Sequence, residues 1–137
     1  MRVTTKGRYG IRTMIVLASH YKKGPVPVKY ISNRERISTD YIEQLFIKLK
    51  KQGLIRSIRG PGGGFLLAKP PSKVKVGDIL RCVEEPVALA PCVDTKLNTP
   101  RCALSDSCVA RVFFKKVSAK LEKIMDSTSL ADLCKCR

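Results

Sequence analysis

Ser38-Thr39-Asp40-Tyr41-Ile42-Glu43-Gln44-Leu45-Phe46-Ile47-Lys48-Leu49 is followed, after five intervening residues, by Ile55-Arg56-Ser57-Ile58-Arg59-Gly60-Pro61-Gly62-Gly63-Gly64-Phe65-Leu66-Leu67. In the first block, Ile42, Leu45, Phe46 and Leu49 recur at the 3–4 spacing of one helix face, which predicts a helix over 39–52. Ser38 is placed to cap it, because a serine hydroxyl can accept an orphan amide of the first turn, and Gly53 is the matching stop. In the second block, Leu54 to Arg59 reads as a strand and Phe65 to Ala68 as its return, with the glycines between them as the tip. A hairpin directly after such a helix reads as a wing with Arg59 held at its tip. The bland alternative is a plain glycine-rich hairpin turn. Nucleotide-binding motifs fail on spacing. A GxGxxG from Gly60 needs glycine at 65 and meets Phe65, and a phosphate loop meets Phe65-Leu66-Leu67 where Gly-Lys-Ser/Thr is required.

Outward from this stretch, Ile11, Met14, Ile15, Ala18 and Tyr21 predict a helix from Lys6 to Tyr21, ended by Gly24-Pro25. Val28 to Arg34 reads as a short second helix presenting Val28, Ile31 and also Tyr30, and Ile37 as an apolar plug before Ser38. Three short helices with a tight connection between the second and third make a helix-turn-helix candidate, although the turn lacks the glycine often found there.

Further on, Val76, Ile79, Leu80 and Val83 predict a helix that packs back on the first unit. From Pro86 to about Ser107, prolines at 86, 91 and 100 and the lack of periodicity predict a long loop, and loops of that length are commonly functional or disordered. Val109, Val112, Phe113, Val117, Leu121, Ile124 and Met125 then mark a helix over about 108–126, and Ser129 to Leu133 a last helical turn. The long helix carries one apolar stripe, which can fold back on its own core or pair with a second copy; pairing is the expectation, since the first unit is already compact without it.

The chain has 137 residues and a formal net charge of +16, with 27 Lys+Arg against 11 Asp+Glu. Residues 1–75 hold 17 basic and 3 acidic side chains, whereas residues 76–137 hold 10 and 8, so nearly all the excess sits in the first part. A small basic unit of this kind meets a polyanion, and nucleic acid is favoured because no basic amphipathic membrane anchor is evident. The 44% apolar content builds a core and excludes a disordered basic tail. The longest apolar run, Met14 to Ala18, is far too short to span a membrane, so a cytoplasmic protein is expected. All six cysteines (Cys82, Cys92, Cys102, Cys108, Cys134 and Cys136) lie in the second part. In a reducing compartment they suit ligands, redox sensors or buried thiols better than disulfides. One histidine, distant from every cysteine in sequence, supports no nucleophilic constellation, so an enzyme is not expected.

Four blocks together resemble one family, the IscR-type bacterial transcriptional regulators, a group that also includes NsrR, RirA and CymR. They are Met1-Arg2-Val3-Thr4-Thr5-Lys6-Gly7-Arg8-Tyr9, Ile37 to Leu45, Ile58-Arg59-Gly60-Pro61-Gly62-Gly63-Gly64-Phe65, and Val76-Gly77-Asp78-Ile79-Leu80 before a cysteine-bearing loop. The resemblance implies a mainly α fold with a small β-hairpin wing, in other words a winged helix-turn-helix with a long C-terminal dimerisation helix. The domain organisation expected is a DNA-binding unit over 1–75, then a second part over 76–137 with a cluster-binding loop at about 86–108. The implied partners are a double-stranded DNA operator and a second copy of the chain.

With a recognition helix in the major groove, Ser38, Thr39, Asp40, Glu43 and Gln44 are the candidates to meet base edges. Gln44 suits adenine, and Glu43 or Asp40 can accept from cytosine N4. Arg59, with Gly60 and Gly62 at the wing tip, resembles an arginine entering a narrow minor groove. Lys6, Arg8, Tyr9, Lys48 and Arg56 are phosphate-contact candidates.

In the sensor members, three loop cysteines hold an iron–sulfur cluster, and the resemblance carries that role to Cys92, Cys102 and Cys108. Soft thiolates suit such a cluster, with [2Fe–2S] favoured over [4Fe–4S]. The C-x9-C-x5-C spacing is not the tight pair of a zinc ribbon. The usual family spacing is five residues in both intervals, so the first is longer here by four. The non-cysteine donors used by two relatives fall on Arg111 and Arg8, so the fourth ligand is open between Cys134, Cys136, Asp94, Asp106, His20 and an exogenous group. A cluster-free repressor of the CymR type, acting through a partner enzyme, and a zinc or thiol-switch protein are the competing readings.

Overall fold

A computed structural model describes residues 2–85, 87–94 and 102–136. Helix α1 (Thr5–Ser19), α2 (Val28–Glu35) and α3 (Thr39–Lys51) come first, followed by strands β1 (Ile55–Ile58) and β2 (Gly64–Leu67). Helix α4 (Val76–Cys82), the long α5 (Val109–Ser127) and the short α6 (Leu130–Lys135) complete the described order, with 3-10 turns at Pro71–Lys73 and Pro91–Val93. Pro86 and Pro100, two of the three prolines that signal the loop, lie outside the described residues.

The turn between α2 and α3 works without glycine. Arg36 takes the left-handed conformation there, at φ 55°. Ser32 closes the turn twice over: its hydroxyl donates to the Ile37 carbonyl at 2.6 Å, and its own carbonyl accepts from the Ile37 amide. Ile37 is thereby driven into the core as the expected plug.

Strands β1 and β2 pair antiparallel, with Ile55 opposite Leu67 and Ile58 opposite Gly64. The hairpin is also tied to the segment before α2, because Val26 and Phe65 exchange backbone hydrogen bonds of 2.8 and 2.9 Å. Gly64 permits that approach. A Cβ there would stand 2.3 Å from the Val26 carbonyl oxygen.

One apolar core joins both parts of the chain. Met14, Leu17, Ile42, Phe46 and Ile55 from the N-terminal elements pack with Ile79, Val83 and Leu130 from beyond residue 75. Leu130 arrives there because the chain after α5 pairs with the chain before α4: its amide donates to Val74 and the Val76 amide donates to Thr128, both at 2.9 Å. Ser129 and Asp132 cap α6 reciprocally.

Helix α5 behaves differently. Only Ser118 on it is buried, and Val109, Val112, Phe113 and Ile124 stand exposed along one side. The apolar stripe read from the sequence thus does not fold back whole onto this chain's core. No helix among the described residues is long and apolar enough to cross a membrane.

Candidate nucleic-acid interface and cysteine loop

Ser38 starts α3 as expected, its hydroxyl accepting from the Tyr41 amide at 3.2 Å. The apolar residues Ile42, Leu45, Phe46 and Leu49 are buried, which turns Thr39, Asp40, Glu43 and Gln44 outward together. Asp40 lies in the first turn, where the partial positive charge of the helix end favours a carboxylate. Tyr9 of α1 meets Tyr41 of α3 edge-on at 5.5 Å, which sets the start of α1 against the start of α3. Arg12 stacks over the same Tyr9 ring and pairs with Glu35 at 3.2 Å, so it braces α1 against α2. Lys6 and Tyr9 are half-buried, and Arg8 is exposed with its guanidinium over Tyr9.

At the wing, Arg56, Arg59, Gly60 and Gly62 are all exposed. Gly60 and Gly62 have φ of 95° and 74°, values that favour glycine, and the Gly63 amide donates to the Gly60 carbonyl to close the tip. Arg59 therefore leaves a tight turn as an exposed cation. Ser57 anchors the hairpin to α3 by accepting from Lys50 Nζ at 2.8 Å.

Two acidic residues that carry no sequence signal organise this surface. The C-terminus of α4 is closed by the Glu84 amide donating to Arg81 and the Glu85 amide donating to Leu80, with Glu84 left-handed at φ 62°. This is the geometry in which glycine is the usual residue. Glu84 points outward to Lys48 at 3.0 Å, and that hydrogen bond, reinforced by the lysine's charge, holds its carboxyl below the usual carboxylate range. Glu85 points inward, is buried, and accepts from both the amide (2.8 Å) and the hydroxyl of Thr4. Thr4 is the N-cap residue of α1, so the helix that carries Lys6 and Tyr9 is pinned by the residue next to the cysteine loop.

Hydrogen bonds from the described part of the loop hold it to α5. The Leu89 amide donates to Ser118 at 3.1 Å, and Arg111 Nε donates to the Cys92 carbonyl at 3.2 Å. Cys108 is the N-cap residue of α5, less than one turn before Arg111. Cys92 and Cys108 are thus set at the same end of that helix. Cys102 begins a compact turn, with its carbonyl accepting from Ser105. Cys92 and Cys102 are exposed and Cys108 is half-buried. The donor set, three free thiols, is chemically suited to a soft metal centre. No group of three His, Cys, Asp or Glu side chains among the described residues stands close enough to share a metal ion.

Of the other donors considered, His20 sits at the end of α1, its Nδ1 3.0 Å from the Val16 carbonyl and its ring edge-on to Tyr30. Cys134 packs against the core from α6, whereas Cys136 is exposed. Cys82 is half-buried at the core's edge, and burial pushes its thiol up. Asp94 follows the 3-10 turn and Asp106 lies in the turn after Cys102.

Known proteins share this architecture. The profile of the family described as Rrf2, iron-dependent transcriptional regulator, matches residues 3–136. The chain is 39% identical over 133 residues to the HTH-type transcriptional regulator IscR of Serratia proteamaculans, spanning 97% of this chain and 79% of that protein. Among solved structures, CymR, the global cysteine regulator of B. subtilis, superposes with a TM-score of 0.83 at 34% identity, over 100% of this chain and 98% of that one. The IscR of T. potens superposes with a TM-score of 0.79 at 37% identity, over 99% of this chain and 88% of that one. These relatives are regulators and not enzymes. With a winged helix-turn-helix fold and a match along nearly its whole length, the chain belongs to the Rrf2 family of transcriptional regulators.

Proposed function

We propose that this regulator binds its operator as a homodimer under the control of an iron–sulfur cluster, [2Fe–2S] in preference to [4Fe–4S], held by Cys92, Cys102 and Cys108. The observation that carries the reading is the Arg111–Cys92 hydrogen bond, which brings the first loop cysteine to the helix end occupied by the last. When bound, the cluster would supply a redox-reactive centre to the loop. The protein's own residues do the rest. Ser38, Thr39, Asp40, Glu43 and Gln44 face base edges, with Gln44 suited to adenine and Glu43 to cytosine. Arg59, Gly60 and Gly62 enter the minor groove, and Lys6, Tyr9, Lys48 and Arg56 hold phosphates. The exposed Val109, Val112, Phe113 and Ile124 of α5 supply the contact between copies. Glu85 connects the two functions, since a shift of the loop beside it acts on Thr4 and hence on the start of α1.

Anaerobic reconstitution with iron and sulfide, followed by visible absorption and metal counting, tests the reading. A chromophore left unchanged by joint replacement of Cys92, Cys102 and Cys108 would sink it. A second reading, a cluster-free regulator like CymR, draws on the lack, among the described residues, of three donors close enough to share a metal ion, and on the likeness to that fold. It predicts a colourless protein after the same treatment, with operator affinity indifferent to iron.

A further inference from the structure

Helix α3 carries an isoleucine where its packing has no use for one. Ile47 is 67% exposed, although every other large aliphatic residue of the helix (Ile42, Leu45 and Leu49) is buried. Its place on the helix is specific. Seven residues after Asp40, it lies only about 20° around the axis from that residue. Glu43 and Gln44 stand one turn before it, to either side. Ile47 therefore occupies the pole opposite the core, within the face formed by Asp40, Glu43 and Gln44, and Lys50 and Lys51 continue that side toward the helix end.

Single exposed apolar residues are ordinary on protein surfaces. This one sits at the centre of a polar recognition face. A β-branched residue is also a poorer helix former at an exposed site than the lysine or glutamate around it. A lysine there would add attraction for phosphate, so isoleucine is the weaker choice on every count except contact with something apolar. The major groove offers one such group on a base edge, the 5-methyl of thymine.

We propose that Ile47 is a specificity residue of this regulator, packing its side chain on the 5-methyl of a thymine in each operator half-site. This rests on the reading of α3 as the helix that enters the major groove. Residues one turn apart have Cβ atoms about 6 Å from each other. Successive base pairs are about 3.4 Å apart, so the thymine lies within about two base pairs of the one met by Glu43.

The test uses the full chain and a random duplex pool. Selected sites are resynthesised with each thymine replaced singly by deoxyuridine, which deletes only the methyl. For the wild-type protein, one such replacement per half-site weakens binding about fourfold, the value of one buried methyl. For Ile47→Ala the same replacement has no effect, while Ile47→Val retains most of it. A flat uracil scan for the wild type overturns the proposal, as does a scan in which Ile47→Ala is equally sensitive. Failure of the wild type to select any sequence overturns the major-groove reading of α3 and this proposal with it.

Discussion

Lys48 Nζ donates to Glu84 Oε2 at 3.0 Å, so a carboxylate at the end of α4 occupies a cation of α3, the helix proposed to read the operator. Lys6 adds to the same local field, since its charge also favours the ionised form of Glu84. An operator phosphate held by Lys48, as proposed, would compete with Glu84 for it, and Glu84 lies at the junction between α4 and the cysteine loop. The left-handed backbone at Glu84 would accept glycine more readily than glutamate, which separates the two roles of the position.

Glu84→Gln and Glu84→Gly are expected to raise affinity for unrelated DNA a few-fold at low salt, with Glu84→Gly folding at least as well as wild type. Lys48→Ala is expected to weaken all duplexes alike and to reduce the slope of log K against log salt by about one. Filter binding over a salt series reads both. Equal slopes for wild type and Lys48→Ala would remove Lys48 from the phosphate contacts.

Glu43→Ala is expected to relax sequence choice at one base pair per half-site, with discrimination falling by about 1–3 kcal/mol there. Competition between operator variants measures it. A uniform loss across all variants would contradict base reading by Glu43.

Glu85 supplies both bonds to Thr4 from a buried position, and Thr4 has no side-chain cap of its own. Glu85→Ala is expected to cost about 1.5–3 kcal/mol, the range for hydrogen bonds to a charged group. Urea unfolding gives the value, and Glu85→Gln should recover part of it. If the two variants unfold like wild type, the pin between the loop and α1 is not energetically significant.

Phe113→Glu, on the exposed side of α5, is expected to convert the proposed dimer into a monomer without loss of helical signal. Sedimentation at micromolar concentration decides it. Retention of the dimer would move the contact elsewhere.

Asp132 accepts from the Ser129 amide at 3.0 Å, and this hydrogen bond holds its carboxyl below the usual carboxylate range. A carboxylate depressed in the fold stabilises it fully at neutral pH, and that stabilisation is lost as the pH falls below about 4 and through the depressed value. Asp132→Asn should therefore flatten the acid limb of thermal stability, read as Tm against pH. An unchanged acid limb would show that the cap of α6 contributes nothing.

The short-range pattern of the chain was enough for much of this structure. Apolar residues at 3–4 spacing marked α1, α3 and α5, Ser38 marked the start of α3, and the glycines marked the wing tip, because each depends on neighbours a turn or a hairpin away. Burial of Ile42, Leu45, Phe46 and Leu49 then left Asp40, Glu43 and Gln44 outward by helical geometry alone. Ile47 was legible by the same rule, as the one aliphatic residue off the stripe.

Other features depend on partners distant in sequence, and no local pattern encodes them. Thr4 and Glu85 are separated by 81 positions, and a glutamate just before a loop reads as solvated until the fold buries it against α1. Glu84 became an ion-pair partner of Lys48 only once α4 packed beside α3. Leu130 entered the core through the pairing of 74–76 with 128–130, and that return left the apolar side of α5 without cover. Local periodicity specifies which face of an element is apolar. Only the closing of the chain on itself decides what that face meets, because each such contact sets the entropy of a long loop against burial and hydrogen bonds that exist nowhere else.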